Sequence, residues 1–228
     1  MNYGRAFSYV TEDPEWFKKV GIGMLIMLIP LIGQLAVFGW SMEMMRRIIH
    51  DEPEMLPDWD DFGKYLGNGF KELVVGLVYA LPILVVYGCS LATIFSLTYA
   101  AGSAGSDSSM GQALGGAAGL GFICMYCGIF LFAAITALLM PPATGILAAT
   151  GEIGAALRVK NVIALLRGAI GPYILSLLMI ALVAPIASSL GFIACGLGTL
   201  FALTYIRLVI AHLFGQAYKI AKASTPSA

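Results

Sequence analysis

The sequence predicts an all-α integral membrane protein with four to five transmembrane helices and two interfacial amphipathic helices. An N-terminal re-entrant helical hairpin is one of two arrangements for its first apolar run. Three observations predict this class. Hydrophobic residues make up 59% of the 228 and charged residues only 11%, with a mean hydropathy of +0.87; a soluble domain is nearer ~45–50% apolar and ~25% charged. The apolar runs follow one another so closely that no soluble domain fits between them. Lysine and arginine gather at the ends of those runs, as positive charge does on the cytoplasmic side of membrane proteins. The chain therefore reads as a single polytopic domain, 1–228, in a lipid bilayer, with a polar segment at 1–19 and a polar tail at 219–228. Formal net charge is zero, so no nucleic-acid partner is expected.

Residues 1–19 carry Arg5, Glu12, Asp13, Lys18 and Lys19. Asp13-Pro14-Glu15 reads as a helix start with proline at the first helical position, and Trp16 and Phe17 suit an interfacial anchor. The apolar run 20–45 lacks a small-residue cleavage site and leads straight into Trp40 and Arg46, so it is expected to be retained. As one helix it would span about 39 Å at ~1.5 Å per residue, more than a ~30 Å hydrocarbon core, an excess that tilt could absorb. Pro30, Gly33 and Gln34 interrupt it. A single span would leave Arg5, Lys18 and Lys19 on the outer face. A hairpin bending at 30–33 would bring all 13 lysines and arginines to the cytoplasmic side, provided other protein covers its open backbone. The charge count favours the hairpin. Both termini are then cytoplasmic.

The stretch 39–71 holds the densest charge. Arg46-Arg47 mark an exit from the bilayer, an acidic loop follows, and Leu56-Pro57-Asp58-Trp59-Asp60-Asp61 opens a helix of another kind. Asp58 as N-cap with Asp61 three residues on resembles a capping box. Trp59, Phe62, Leu66, Phe70 and Leu73 fall at helical spacing, so this helix is expected to lie on the membrane surface. A span from about Leu73 to Ala101 follows, ending in a glycine- and serine-rich loop without lysine or arginine. Gly111, Gly115 and Gly119 then recur every four residues, the spacing of a smooth face on which another helix packs closely. Pro141-Pro142 is expected to break or kink that helix. A second surface helix is expected at 150–167 and another span to about Pro185, a weak echo of the first surface helix and span. The string Ser188-Ser189-Leu190-Gly191 reads as a turn into a last span ending near Ala217, before a tail expected to fray.

The early Asp13-Pro14, the break at 30–33, Gly39-Trp40 with Arg46-Arg47, Leu56-Pro57-Asp58-Trp59-Asp60-Asp61, Gly69 before an apolar span, and His212-Leu213-Phe214-Gly215-Gln216-Ala217-Tyr218 occur together. This set resembles the uncharacterised prokaryotic membrane family known as domain of unknown function 4013, over nearly the whole chain. The resemblance implies a polytopic bacterial or archaeal membrane protein. It brings no catalytic or binding residue with it.

Chemistry-bearing residues are sparse. Cys89, Cys124, Cys127 and Cys195 all lie inside apolar runs and read as reduced, buried packing residues. Cys124-x-x-Cys127 has no second pair to complete a metal site. His50 and His212 are far apart in sequence, and Asp58, Asp60 and Asp61 are explained by a helix start without a cation. No catalytic residue, metal or cofactor is expected. The polar residues worth weighing are Glu43, Arg207, His212 and Gln216, because ionisable groups inside spans are costly. Glu43 has Arg47 one turn on, whereas Arg207 has no local acid and either snorkels or meets Glu43 as a buried polar pair. The first functional expectation is a non-enzymatic membrane protein that packs with itself or a membrane partner. Transport of a small molecule or ion is the alternative, and a lipid-acting enzyme the third reading. Gln34, Ser90, Thr93 and Thr199 are few polar groups for a transport path.

Overall fold

The computed structural model describes residues 1–53, 55–105, 107–193 and 197–225. Among them the regular elements are helical and no strand occurs: α1 (Arg5–Glu12), α2 (Trp16–Met27), α3 (Ile32–Ile49), α4 (Phe62–Ala104), α5 (Ser109–Thr150), α6 (Ile153–Ala156), α7 (Val159–Gly168), α8 (Ile170–Ile193) and α9 (Leu197–Ser224). Four helical stretches are long and apolar enough to cross a membrane: Trp59–Ala104, Ser109–Thr150, Ile170–Ser189 and Leu197–Ser224. The protein is an all-α integral membrane protein.

Two compact units divide it, Met1–Gly76 with Leu138–Ala228, and Leu77–Ala137. In the larger unit α9 is the central element, packed against α1, α2, α3, α7 and α8. Trp40, Met44, Leu208 and Leu213 are fully buried around it. Glycines set the closest approaches. A side chain at Gly39 would place its Cβ 1.7 Å from the Tyr65 carbonyl oxygen, and one at Gly69 would stand 1.8 Å from that of Leu35. So α3 and α4 touch backbone to backbone, as membrane helices do where small residues face each other. The smaller unit pairs the later part of α4 with the earlier part of α5. Gly121 lies under Ile94 and Gly128 under Val86, and the Thr136 hydroxyl donates to the Tyr79 carbonyl at 3.1 Å. Most of its large apolar side chains, including Leu84, Phe95 and Phe130, face outward. Between Leu73 and Gly151 the sequence has a single charged residue, Asp107. Such a surface is compatible with lipid, which solvates leucine as well as another leucine does.

Residues 20–45 form a helical hairpin. The turn at 28–31 places Leu31 at φ +64°, and Gly33 lets α3 return against α2, since a Cβ there would meet the Ile26 carbonyl at 1.8 Å. The single-span arrangement is thereby set aside.

Several local expectations are corrected. The surface helix at 58–73 is the first part of α4, continuous with the span. Phe62 and Phe70 of its apolar face point outward, while Tyr65, Gly69 and Val75 pack against the protein. Glycine at 69 opens that side to α3, which no apolar count reveals. The second surface helix stays separate as α7, broken from α8 at Ala169, so the expected echo is incomplete. Pro141 and Pro142 lie inside α5 without ending it. Membrane helices tolerate proline where neighbours satisfy the freed backbone groups. Ser188 to Gly191 is helical within α8 rather than a turn, the Ser189 hydroxyl donating to Ile186 inside the helix. The tail is helical from 219 to Ser224, where α9 ends, and Ala221 packs with Tyr173, Ala217 and Ala169; its last residues, 226–228, lie outside the described residues. Residues 1–19 are not merely polar: α1 buries Ala6, Tyr9 and Val10.

Candidate functional site

Three polar centres lie in the larger unit, and their degree of satisfaction ranks them. The first joins the N-terminal segment to the Leu56-Pro57-Asp58-Trp59 loop. Asp13 accepts from the Leu56 N–H at 3.0 Å and from Lys19 Nζ at 3.0 Å. Lys19 also donates to the Leu56 carbonyl at 2.8 Å and pairs with Asp58 at 3.0 Å. The Trp40 indole donates to the Pro57 carbonyl at 2.8 Å and the Trp59 indole to that of Lys19 at 2.9 Å, with the two rings stacked at 4.7 Å. Burial pushes the Asp13 carboxyl up, but Lys19 and the N–H groups of Glu15 and Leu56 outweigh it and hold it below its ordinary value. Nearly every donor here has an acceptor. This is a clasp, not a site. It also corrects the capping box, because Asp58 makes no side-chain cap bond and gives its carboxylate to Lys19.

The second centre is Glu43, buried in α3. Arg46 donates to it at 2.8 Å, Lys64 pairs with it at 3.2 Å, and Arg47 stands at 3.9 Å. Arg46 in turn holds Glu52 at 2.7 Å, which keeps the Glu52 carboxyl below its ordinary value. Three cations surround one carboxylate: Arg46 and Arg47 address its Oε1, and its Oε2, which accepts no hydrogen bond among the described residues, has the Lys64 ammonium at 3.2 Å.

The third centre is the candidate site. Arg207 of α9 meets Glu72 of α4 at 3.4 Å, and its guanidinium carbon sits 3.5 Å from the centre of the Phe38 ring, a cation–π contact. The pair lines a cavity of about 80 Å³ together with Ser41, Thr144 and Met140, among others. The expected pairing of Glu43 with Arg207 does not form. Glu43 sits among Arg46, Arg47 and Lys64, while Arg207 faces α4. Glu72 carries no obvious sequence signal of this role beyond continuing the Tyr65 and Gly69 face by one turn.

The remaining sequence candidates take structural parts. His212 is buried, stacked on Tyr9 at 4.5 Å, with Gln216 Nε2 3.1 Å from its Nδ1. His50 caps the end of α3 and is exposed. Asp60 and Asp61 lie in an exposed 3-10 turn, and no group of three or more His, Cys, Asp or Glu suited to a metal occurs among the described residues. Cys89, Cys124 and Cys127 are free and exposed, not buried, because the helices that carry them turn those faces outward; Cys195 lies outside the described residues. Gly115 and Gly119 have nothing within 4 Å of an added Cβ among the described residues, while Gly111 lies tight against Gly105 and Ser108 at the start of α5.

Residues 22–197 match the family described as protein of unknown function (DUF4013). No curated protein matches the chain, and no solved structure does.

Proposed function

Because this chain belongs to the family of proteins of unknown function DUF4013, membership brings no activity with it, and we propose from its own residues that it is a non-enzymatic multi-pass protein that packs against a second copy of itself in the membrane. The observation that carries this reading is the open glycine face of α5. An added Cβ at Gly115 or Gly119 would meet nothing within 4 Å among the described residues, on a helix pair with one charged residue to restrict its partners. Identical faces with glycine every fourth residue are complementary to each other, which favours a second copy over an unrelated helix. Gly115→Leu tests it. With no neighbour to displace, the variant keeps the wild-type unfolding midpoint in detergent but loses the dimer in size analysis and in-membrane cross-linking. Retention of the dimer overturns the reading.

Transport is the second reading, favoured by one observation, an ionisable pair beside a cavity between apolar helices. For orientation we propose that both termini face the cytoplasm of a prokaryotic cell, supported by a hairpin that returns the chain to its starting side before four candidate spans and by the lysine and arginine clusters beside it. Cysteines placed at positions 2 and 227 will resist an impermeant thiol reagent in intact cells and react after permeabilisation. Labelling of either in intact cells reverses the assignment for that terminus.

A further inference from the structure

The Glu72–Arg207 pair is under-filled. A guanidinium presents five N–H donors, and a charge-assisted bond to a carboxylate normally closes to about 2.7–2.9 Å. Among the described residues Arg207 donates to one carboxylate, that of Glu72, at the longer distance of 3.4 Å, and rests its face on Phe38. In the same unit Arg46 closes on Glu43 and Glu52 to 2.8 and 2.7 Å, so the slack belongs to the Arg207 site. The cavity beside it, about 80 Å³, has room for a small ion and one or two waters at ~30 Å³ each. It is too small for a lipid headgroup. Its other polar walls are hydroxyls. Ser41 donates to the Phe38 carbonyl and Thr144 to that of Met140, so both oxygens keep lone pairs for a water. Among the described residues the charged groups at the cavity are Glu72 and Arg207; α3 contributes Ser41, Met42 and Met45, and α5 contributes Met140 and Thr144.

We propose that this cavity binds a small monovalent anion, of chloride or formate size, together with one proton. In the resting arrangement the Glu72 carboxylate is the counter-ion of Arg207. A proton taken up by Glu72 neutralises that carboxylate and leaves the guanidinium without a counter-charge in an apolar surrounding, where an unpaired charge is costly. The anion takes the vacated place. The site is neutral before and after, as Glu⁻ with Arg⁺ or as protonated Glu with Arg⁺ and anion. Proton and anion therefore raise each other's affinity by the same factor. The site lies wholly within the larger unit, so it stands or falls independently of self-packing through Leu77–Ala137.

The test uses the full chain in detergent micelles with sodium chloride or sodium formate as probe, and sodium gluconate as a bulky control at equal ionic strength. Chloride or formate raises the unfolding midpoint and gluconate does not, with an apparent affinity tenfold or more higher at about pH 5 than at about pH 8. Glu72→Gln, which mimics the protonated acid, removes the pH dependence and keeps the binding. Arg207→Gln abolishes it. Should either variant fail to fold, wild type in weak buffer decides the matter, because about one proton is taken up per anion bound. Equal midpoints in formate and gluconate at about pH 5, binding retained in Arg207→Gln, or anion binding without proton uptake each overturn the proposal.

Discussion

Replacing Gly39 by alanine destabilises the fold by about 3 kcal/mol or more, because one methyl group must enter a backbone-to-backbone contact. The added Cβ would stand 1.7 Å from the Tyr65 carbonyl oxygen and its carbon would lie 2.6 Å away. No rotamer change relieves this, since the obstacle is main chain. The helices must separate, and Gly69 opposite Leu35 loses its contact with them. A matched control lies on α4 itself: Gly67 has nothing within 4 Å of an added Cβ, so Gly67→Ala gains helix propensity, up to about 1 kcal/mol. Equilibrium unfolding in mixed micelles compares the two. Wild-type stability in Gly39→Ala would show that α3 and α4 do not approach this closely.

The second large effect is at Lys19. Lys19→Met leaves the Asp13 carboxylate buried, at 3% exposure, without its cation, and the cost is about 3–5 kcal/mol for breaking a buried pair from one side. The double variant Asp13→Asn with Lys19→Met recovers part of the loss, since no charge is then stranded. The pH dependence follows from the lowered Asp13 carboxyl. A group whose folded pKa is depressed contributes stability above its unfolded value, about 3.9 for aspartate, and loses it as pH falls through the folded value. Wild type accordingly weakens below about pH 4. In Lys19→Met the carboxyl has lost the ammonium that held it down and takes up its proton at higher pH. The gap between variant and wild type narrows on acidification. A gap that stays constant would mean that Asp13 is not what Lys19 stabilises.

Both effects arise where the resemblance motifs meet. Asp13, Trp40, Pro57, Asp58 and Trp59 are scattered over the first 60 positions or so, and in the structure they close one hydrogen-bonded clasp around Lys19. Each was visible as a motif. Its purpose was not, because a local reading assigned Asp58 to a helix cap and Lys19 to the interface. Asp13 lies only six residues from Lys19, but Leu56 and Asp58, which close the clasp, lie some 40 residues from it, beyond the reach of any spacing argument.

Composition and periodicity alone determined the class of protein, the interruption at 30–33 and the concentration of charge at 39–71, and narrowed the spans to four or five. These follow from the solvent: a helix that meets lipid must be apolar along its length, whatever it packs against. Only the tertiary structure decided which charges pair. Glu72 and Arg207 are 135 residues apart, and whether they meet depends on how α4 and α9 are rotated about their axes. Glycines at 39 and 69 set the close approach of α4 to α3, and Gly215 of α9 lies against Ile48 and Met45 of α3; each removes one side chain from a contact. A single hydrogen atom in place of a methyl barely alters hydropathy, yet it decides which face of a helix turns inward and therefore which carboxylate an arginine finds.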